Sequence, residues 1–181
     1  YLKSEGLTLS GVIITHHHND HIDGLSELKS YYKKDVQRAF GRTDELKIYA
    51  PEKNRIQIHE ANVFVKHNQV LDIDGFKLRV IEVPGHTLGH IAYFEESAEL
   101  LFSGDVVFGL GCGRLFEGTP EQMFSSLNIL KKLPVDTLIY CTHEYTEKNL
   151  KFCRQLIEQG IYPKITEFEH FLKYEKEVQQ K

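Results

Sequence analysis

Apolar residues fall along the chain in short runs that stop at polar groups. Val12-Ile13-Ile14 is a run of β-branched side chains, the pattern of a buried strand, and it stops at Thr15-His16-His17-His18-Asn19-Asp20-His21. Ile22, Leu25, Leu28 and Tyr32 follow at spacings of three and four, which predicts a helix supporting that polar stretch. Ahead of the run, Tyr1 to Gly6 reads as the last turn of a helix closed by glycine. Lys47 to Pro51 predicts a strand stopped by proline, and residues 52–62 are polar and irregular. Val63 to Ile73 and Phe76 to Val83 predict two strands joined by the hairpin signal Asp74-Gly75. In the second, Phe76, Leu78 and Val80 alternate with Lys77 and Arg79, giving one buried and one wet face. Strands at Ile91 to Phe94 and Leu100 to Phe102 come next, then the glycine-rich loop Gly109 to Arg114. Thr119, Pro120 and Gln122 predict a boxed helix start, with Met123, Leu127 and Leu130 as the core stripe. Leu138 to Cys141 reads as another buried strand. A helix capped by Thr146 and closed near Gly160 should turn Leu150, Cys153 and Ile157 inward. After Pro163 a last amphipathic helix carries Ile165, Phe168 and Leu172.

Strands in mixed hairpins with helices interspersed predict an α/β (α+β) fold, a sandwich of sheets covered by helices. Four strand ends deliver histidine or aspartate: residues 16–21, His86, Asp105 and His143. If they share one edge of the sandwich, their side chains converge. His16 and His18, two apart on extended backbone, project to one side and can meet one ion. Asp20 and His21 follow after the strand ends, and their spacing points toward a second. The inventory is His16, His18 and His86 for one ion, Asp20, His21 and His143 for the other, and Asp105 between them. Imidazole and carboxylate without thiolate suit zinc, iron or manganese, with zinc favoured. Two divalent ions about 3.5–4 Å apart would hold a shared water and polarise a carbonyl oxygen, which is hydrolytic chemistry.

Composition narrows the setting. At 181 residues the chain can bury roughly 70% of its unfolded surface without a staple. Cys112, Cys141 and Cys153 lie far apart with no C-x-x-C pair, which fits a reducing, cytoplasmic compartment. The net charge of -4 and the scattered lysines and arginines argue against nucleic acid. No apolar run approaches the roughly 18 residues of a spanning helix and no leader pattern is found, so no membrane role is expected.

His16-x-His18-x-Asp20-His21 with His86, Asp105 and His143 resembles the metallo-beta-lactamase fold over residues 12–145. More narrowly, Pro84-Gly85-His86-Thr87-Leu88-Gly89-His90, Gly104-Asp105, Gly111-Cys112-Gly113-Arg114, Phe116-Glu117-Gly118-Thr119 and Cys141-Thr142-His143-Glu144-Tyr145-Thr146 resemble the glyoxalase II (hydroxyacylglutathione hydrolase) family. The resemblance implies a four-layered αββα sandwich and hydrolysis of S-D-lactoylglutathione to D-lactate and glutathione, in methylglyoxal detoxification, by a hydroxide bridging two metal ions. It implies metal roles for the seven residues above, with Asp105 the bridge, and contacts from Arg114, Phe116 and Tyr145 to the glutathione portion. It divides the chain into residues 1–145, the metal-binding domain without the family's first strands, and 146–181, the start of a C-terminal helical region cut before its basic glutathione contacts. The small-molecule thioester is the expected partner, and a monomer the expected state.

The remaining residues have plainer readings. The plainer reading of Arg114 is a surface salt bridge and of Tyr145 a core aromatic, each standing second to contact with substrate. His17, between two ligands, should face away from them and serve structurally. His90 reads as a hydrogen-bonded core histidine, and His59, His67 and His170 as surface residues. Cys112 has nothing beside it to lower its thiol pKa, so packing is favoured over reactivity. Two rival functions stand: a mononuclear-iron persulfide dioxygenase of the same fold, betrayed by oxygen dependence, and a truncated, inactive metal-binding module.

Overall fold

β-branched Val12 and Ile13 do make a strand, β1 (Gly11–Ile13), and the chain returns beside it twice. In this computed structural model, which describes residues 2, 4–40 and 45–161 and all their side chains except those of 35–40, β1 is followed by two helical pieces. These are α1 (Asn19–Ile22) and α2 (Leu25–Phe40). The single helix expected from Ile22 is broken at Asp23-Gly24, where glycine weakens the helix and the histidine segment sets a different direction. β2 (Lys47–Pro51) and β3 (Val63–Val65) then add in parallel, giving the order β1-β2-β3.

The reading of Val63 to Ile73 as one strand needs correction. Asn68 takes a left-handed conformation (φ 62°), and the chain crosses there from β3 to β4 (Val70–Ile73) in a second sheet. An apolar run cannot show which sheet each half joins. Asp74 and Gly75 (φ 51° and 89°) make the tight turn into β5 (Phe76–Glu82). The expected one-sided burial holds only for Leu78 and Val80: Phe76, at the start beside the turn, is exposed, and Ile81 is buried as well as Val80. β6 (Ile91–Glu95) and β7 (Leu100–Gly104) continue antiparallel. The glycine-rich loop contains a small hairpin, β8 (Val107–Phe108) and β9 (Gly111–Cys112). After α3 (Pro120–Leu130), β10 (Leu138–Cys141) adds parallel to β7, completing the order β10-β7-β6-β5-β4.

Three apolar clusters give the layers. Leu25, Leu28 and Tyr32 of α2 pack on Ile48 and Ala50, covering the outer face of the first sheet. Tyr49 and Val65 meet Leu71, Leu78, Val80 and Tyr93 between the sheets. Met123, Leu127 and Leu130 of α3 cover Ile81, Ala92, Phe94 and Leu101. The fold is therefore the expected αββα sandwich. Buried Tyr93 ties the sheets at the critical edge, its hydroxyl donating to the carbonyl of Ile14 at 2.9 Å and of Tyr49 at 3.3 Å.

Two further expectations change. β10 is exposed rather than buried, because it forms the sheet edge: Leu138, Ile139 and Tyr140 stay exposed, Tyr140 stacking on Phe102 with ring centres 5.5 Å apart. α4 (Thr146–Glu158) takes Tyr145 rather than Thr146 as its N-cap, and Glu144 Oε1 accepts the Thr146 amide at 2.7 Å. Gly160 (φ 65°) closes it as expected. Near the start, Gly6 (φ 66°) and the Leu7 amide donating to the Leu2 carbonyl keep the glycine closure, though as a turn. The helix expected after Pro163, and His170, lie outside the described residues. Among the described residues no helix is long and apolar enough to cross a membrane.

Candidate metal centre

The histidine segment leaves β1 with one more sheet-like bond, Ile14 N to Tyr49 O at 2.8 Å, and the Thr15 carbonyl accepts the Ile91 amide at 2.9 Å. Both sheets therefore fix where His16 begins. His18, still extended (φ -65°, ψ 147°), precedes α1, so the backbone turns only after delivering two imidazoles to one side. His16 Nε2 and His18 Nδ1 are 3.2 Å apart, and His86 Nε2 lies 3.0 Å from the same His18 nitrogen. His86 Nδ1 donates to the Arg114 carbonyl at 2.7 Å, so in the neutral ring its Nε2 keeps a lone pair aimed at the cluster. One proton cannot satisfy three nitrogens so placed, whereas a cation can.

Asp105 stands between this group and a second. Its Oδ2 is 3.4 Å from His86 Nε2 and 3.4 Å from His143 Nε2, and its Oδ1 is 3.4 Å from His21 Nε2. His143 Nε2 is also 3.3 Å from Asp20 Oδ2. His21 Nε2 is buried and makes no hydrogen bond. Three groups have ligand atoms within 4.8 Å of one another: His16, His18 and His86; His16, His21 and Asp105; Asp20, His21 and His143. All seven residues expected as ligands are thus brought together. Burial holds His16, His18 and His21 below the usual imidazole pKa, leaving them neutral with free lone pairs. An orphaned buried nitrogen, an unsatisfiable imidazole triad and a donor set of nitrogen and oxygen fit a divalent cation.

Residues behind the ligands hold them in place. His90 is buried, its Nε2 accepts the Asp105 amide at 3.1 Å, and its ring stacks on His16 at 4.6 Å. The Thr142 hydroxyl donates to Asp105 Oδ1. Neither Thr142 nor Asn54, which reaches His17, stood out in the sequence, because a lone threonine beside a histidine and an asparagine in an irregular stretch carry no local signal. His67, read as a surface residue, is exposed, and its Nδ1 accepts the Glu82 amide at 3.0 Å.

The centre opens into a cavity of about 780 Å³. Phe116, 58% exposed, stands edge-on to His18 and His86 with ring centres 5.2 and 5.3 Å away. Arg114 lies over Phe116 at 5.1 Å. Tyr145 is exposed, stacked on His143 and edge-on to Phe108, so it is wall rather than core. The Cys112 thiol lines the same cavity, and partial burial pushes its pKa up.

A family model described as the metallo-beta-lactamase superfamily matches residues 1–143. The chain belongs to this superfamily. It is similar to hydroxyacylglutathione hydrolase of Bdellovibrio bacteriovorus, 48% identical over 163 residues, 90% of this chain and 60% of that protein. It is also 45% identical over 167 residues to hydroxyacylglutathione hydrolase of Prochlorococcus marinus, covering 89% of this chain and 62% of that one. The chain thus spans about three fifths of these curated relatives. Among solved structures, ETHE1 from Myxococcus xanthus is similar at TM-score 0.65 and 30% identity, over 80% of this chain and 58% of that one. Within the superfamily, this chain pairs its metal-type histidines with the Phe108, Arg114, Phe116 and Tyr145 wall.

Proposed function

We propose that this chain hydrolyses the thioester S-D-lactoylglutathione to D-lactate and glutathione. The observation that carries the reading is Asp105 Oδ2 lying 3.4 Å from imidazoles of two separate groups, the arrangement a bridging carboxylate needs. We assign His16, His18 and His86 to one divalent ion, Asp20, His21 and His143 to a second, and Asp105 to both. When bound, such ions supply a water able to attack at neutral pH and a charge to polarise the thioester carbonyl. The chain's own residues do the rest. The Arg114 guanidinium offers paired donors to a substrate carboxylate, and Phe116 and Tyr145 flank the tail that leads to the centre. The glutathione thiolate leaves without obligatory protonation, so no general acid is required of the protein. Helix α4 (Thr146–Glu158), which follows the cavity-lining Tyr145, we read as adding to substrate hold. The likeness to proteins named hydroxyacylglutathione hydrolase supports this substrate class.

The test is elemental analysis of the purified chain followed by turnover of S-D-lactoylglutathione. About two ions per chain and turnover abolished by chelation are expected. Asp105→Ala should lose binuclear loading and cost more than the roughly 10–100-fold typical of an outer partner. A variant that kept both ions and full turnover would remove Asp105 from its role. One iron per chain with oxygen-dependent turnover would replace the hydrolase by the dioxygenase.

A further inference from the structure

His17 sits between two candidate ligands yet belongs to none of the ligand groups. Its ring is spent elsewhere. Asn54 Nδ2 lies 3.0 Å from His17 Nδ1, and His17 Nε2 lies 3.2 Å from Glu117 Oε1. Glu117 Oε2 in turn accepts the Leu88 amide at 2.8 Å. With the Asn54 amide donating to Nδ1, the His17 proton rests on Nε2 and points at Glu117, so every link has one donor and one acceptor. Asn54 is packed in place: it is buried, its backbone carbonyl accepts the amides of Gln57 and Ile58, and its side chain fills the space where a Cβ on Gly89 would sit.

We propose that Asn54, His17 and Glu117 form a clamp that positions the cavity rim, residues 114–118, over the centre and so sets how tightly substrate is held. This rests on the thioester reading. The rim's backbone is laid on the His86 loop, with Phe116 N to His86 O at 3.2 Å and Gly118 N to Gly85 O at 3.0 Å. Those bonds join rim and His86 loop to each other. The His17–Glu117 contact joins both to the segment that carries His16 and His18. Together with the His86 Nδ1 bond to the Arg114 carbonyl, it bears on the placement of Arg114 and Phe116, exposed side chains that meet each other, Phe116 also meeting the His18 and His86 rings. All three clamp members are positioning residues.

The experiment compares Glu117→Ala, His17→Ala, their double variant and Glu117→Gln in the full, metal-loaded chain. KM for S-D-lactoylglutathione should rise about three- to tenfold in either alanine variant, the loss of one partly exposed charge-assisted link, with kcat within about twofold. Metal content should not change. The double variant should be no worse than either single one, and Glu117→Gln should leave the loss in place, because its single oxygen cannot accept from both Leu88 and His17 and its amide sets a donor against the His17 Nε2–H. Independently of turnover, exchange of the Phe116 and Gly118 amides, neither of which touches His17, should accelerate in His17→Ala. Unchanged KM, a fall in kcat or metal content equal to the rise in KM, or additive effects would overturn the clamp. If the wild-type chain does not turn over the thioester, the activity reading falls, and amide exchange alone decides: faster exchange upholds the clamp and unchanged exchange overturns it.

Discussion

Asp105 is held by a backbone that only glycine permits. Gly104 takes φ 53°, and a Cβ there would lie 2.6 Å from Thr15 Oγ1 and 2.8 Å from the His90 ring. That is the ring whose Nε2 accepts the Asp105 amide. A side chain at this position would push apart the contact that aims the carboxylate. We therefore expect Gly104→Ala to cost about 2–4 kcal/mol, combining left-handed strain with a buried clash. Metal affinity should fall with it. Chemical denaturation and metal titration on the same sample check both, and wild-type values would show the loop relaxes freely. The candidate ligands themselves were legible in the sequence, because a metal site calls for a rare density of histidine and aspartate. Their supports were less so. Gly104 stood beside Asp105, but its need for space comes from Thr15 and His90, far away in the chain.

At the level of elements, legibility followed the range of the forces involved. The start of α3 was fully readable, since its box is built from neighbours. Thr119 Oγ1 accepts the Gln122 amide at 3.3 Å, and Gln122 Oε1 accepts the Thr119 amide at 2.9 Å. Thr119→Ala should cost about 1 kcal/mol, read as a lower denaturation midpoint at constant slope. Metal content should stay constant in that variant, because the loss is confined to the helix start while Ser126 still holds the His86 loop through the Pro84 carbonyl. The Asp74-Gly75 turn was legible for the same local reason. β10 was not: Leu138-Ile139-Tyr140-Cys141 has a core composition, and its exposure is decided by its place at the sheet edge. The division of Val63 to Ile73 between two sheets was equally hidden, because both halves are apolar and only the turn at Asn68 separates them.

For the molecule as a whole, the centre trades folding stability for readiness to bind. His16 and His90 are buried and both sit below the unfolded imidazole value of 6.5, chiefly through desolvation, with neighbouring histidines adding to the shift. The sign follows from proton counting. Below pH 6.5 the unfolded chain binds protons that these folded rings refuse, so lowering the pH favours unfolding. Each such ring should remove about 1.4 kcal/mol of stability per pH unit below that value, down to its own folded pKa. Metal acts in the opposite direction, since it binds the folded ligands and competes with their protons. Denaturation of the metal-free chain should therefore show a midpoint that falls steeply between pH 7 and pH 5. Metal loading should raise the midpoint most at pH 7 and progressively less as protons displace it. A metal-free chain whose stability was flat across this interval would mean that these rings take up protons without unfolding. The neutral imidazole cluster assumed for metal capture would then be wrong.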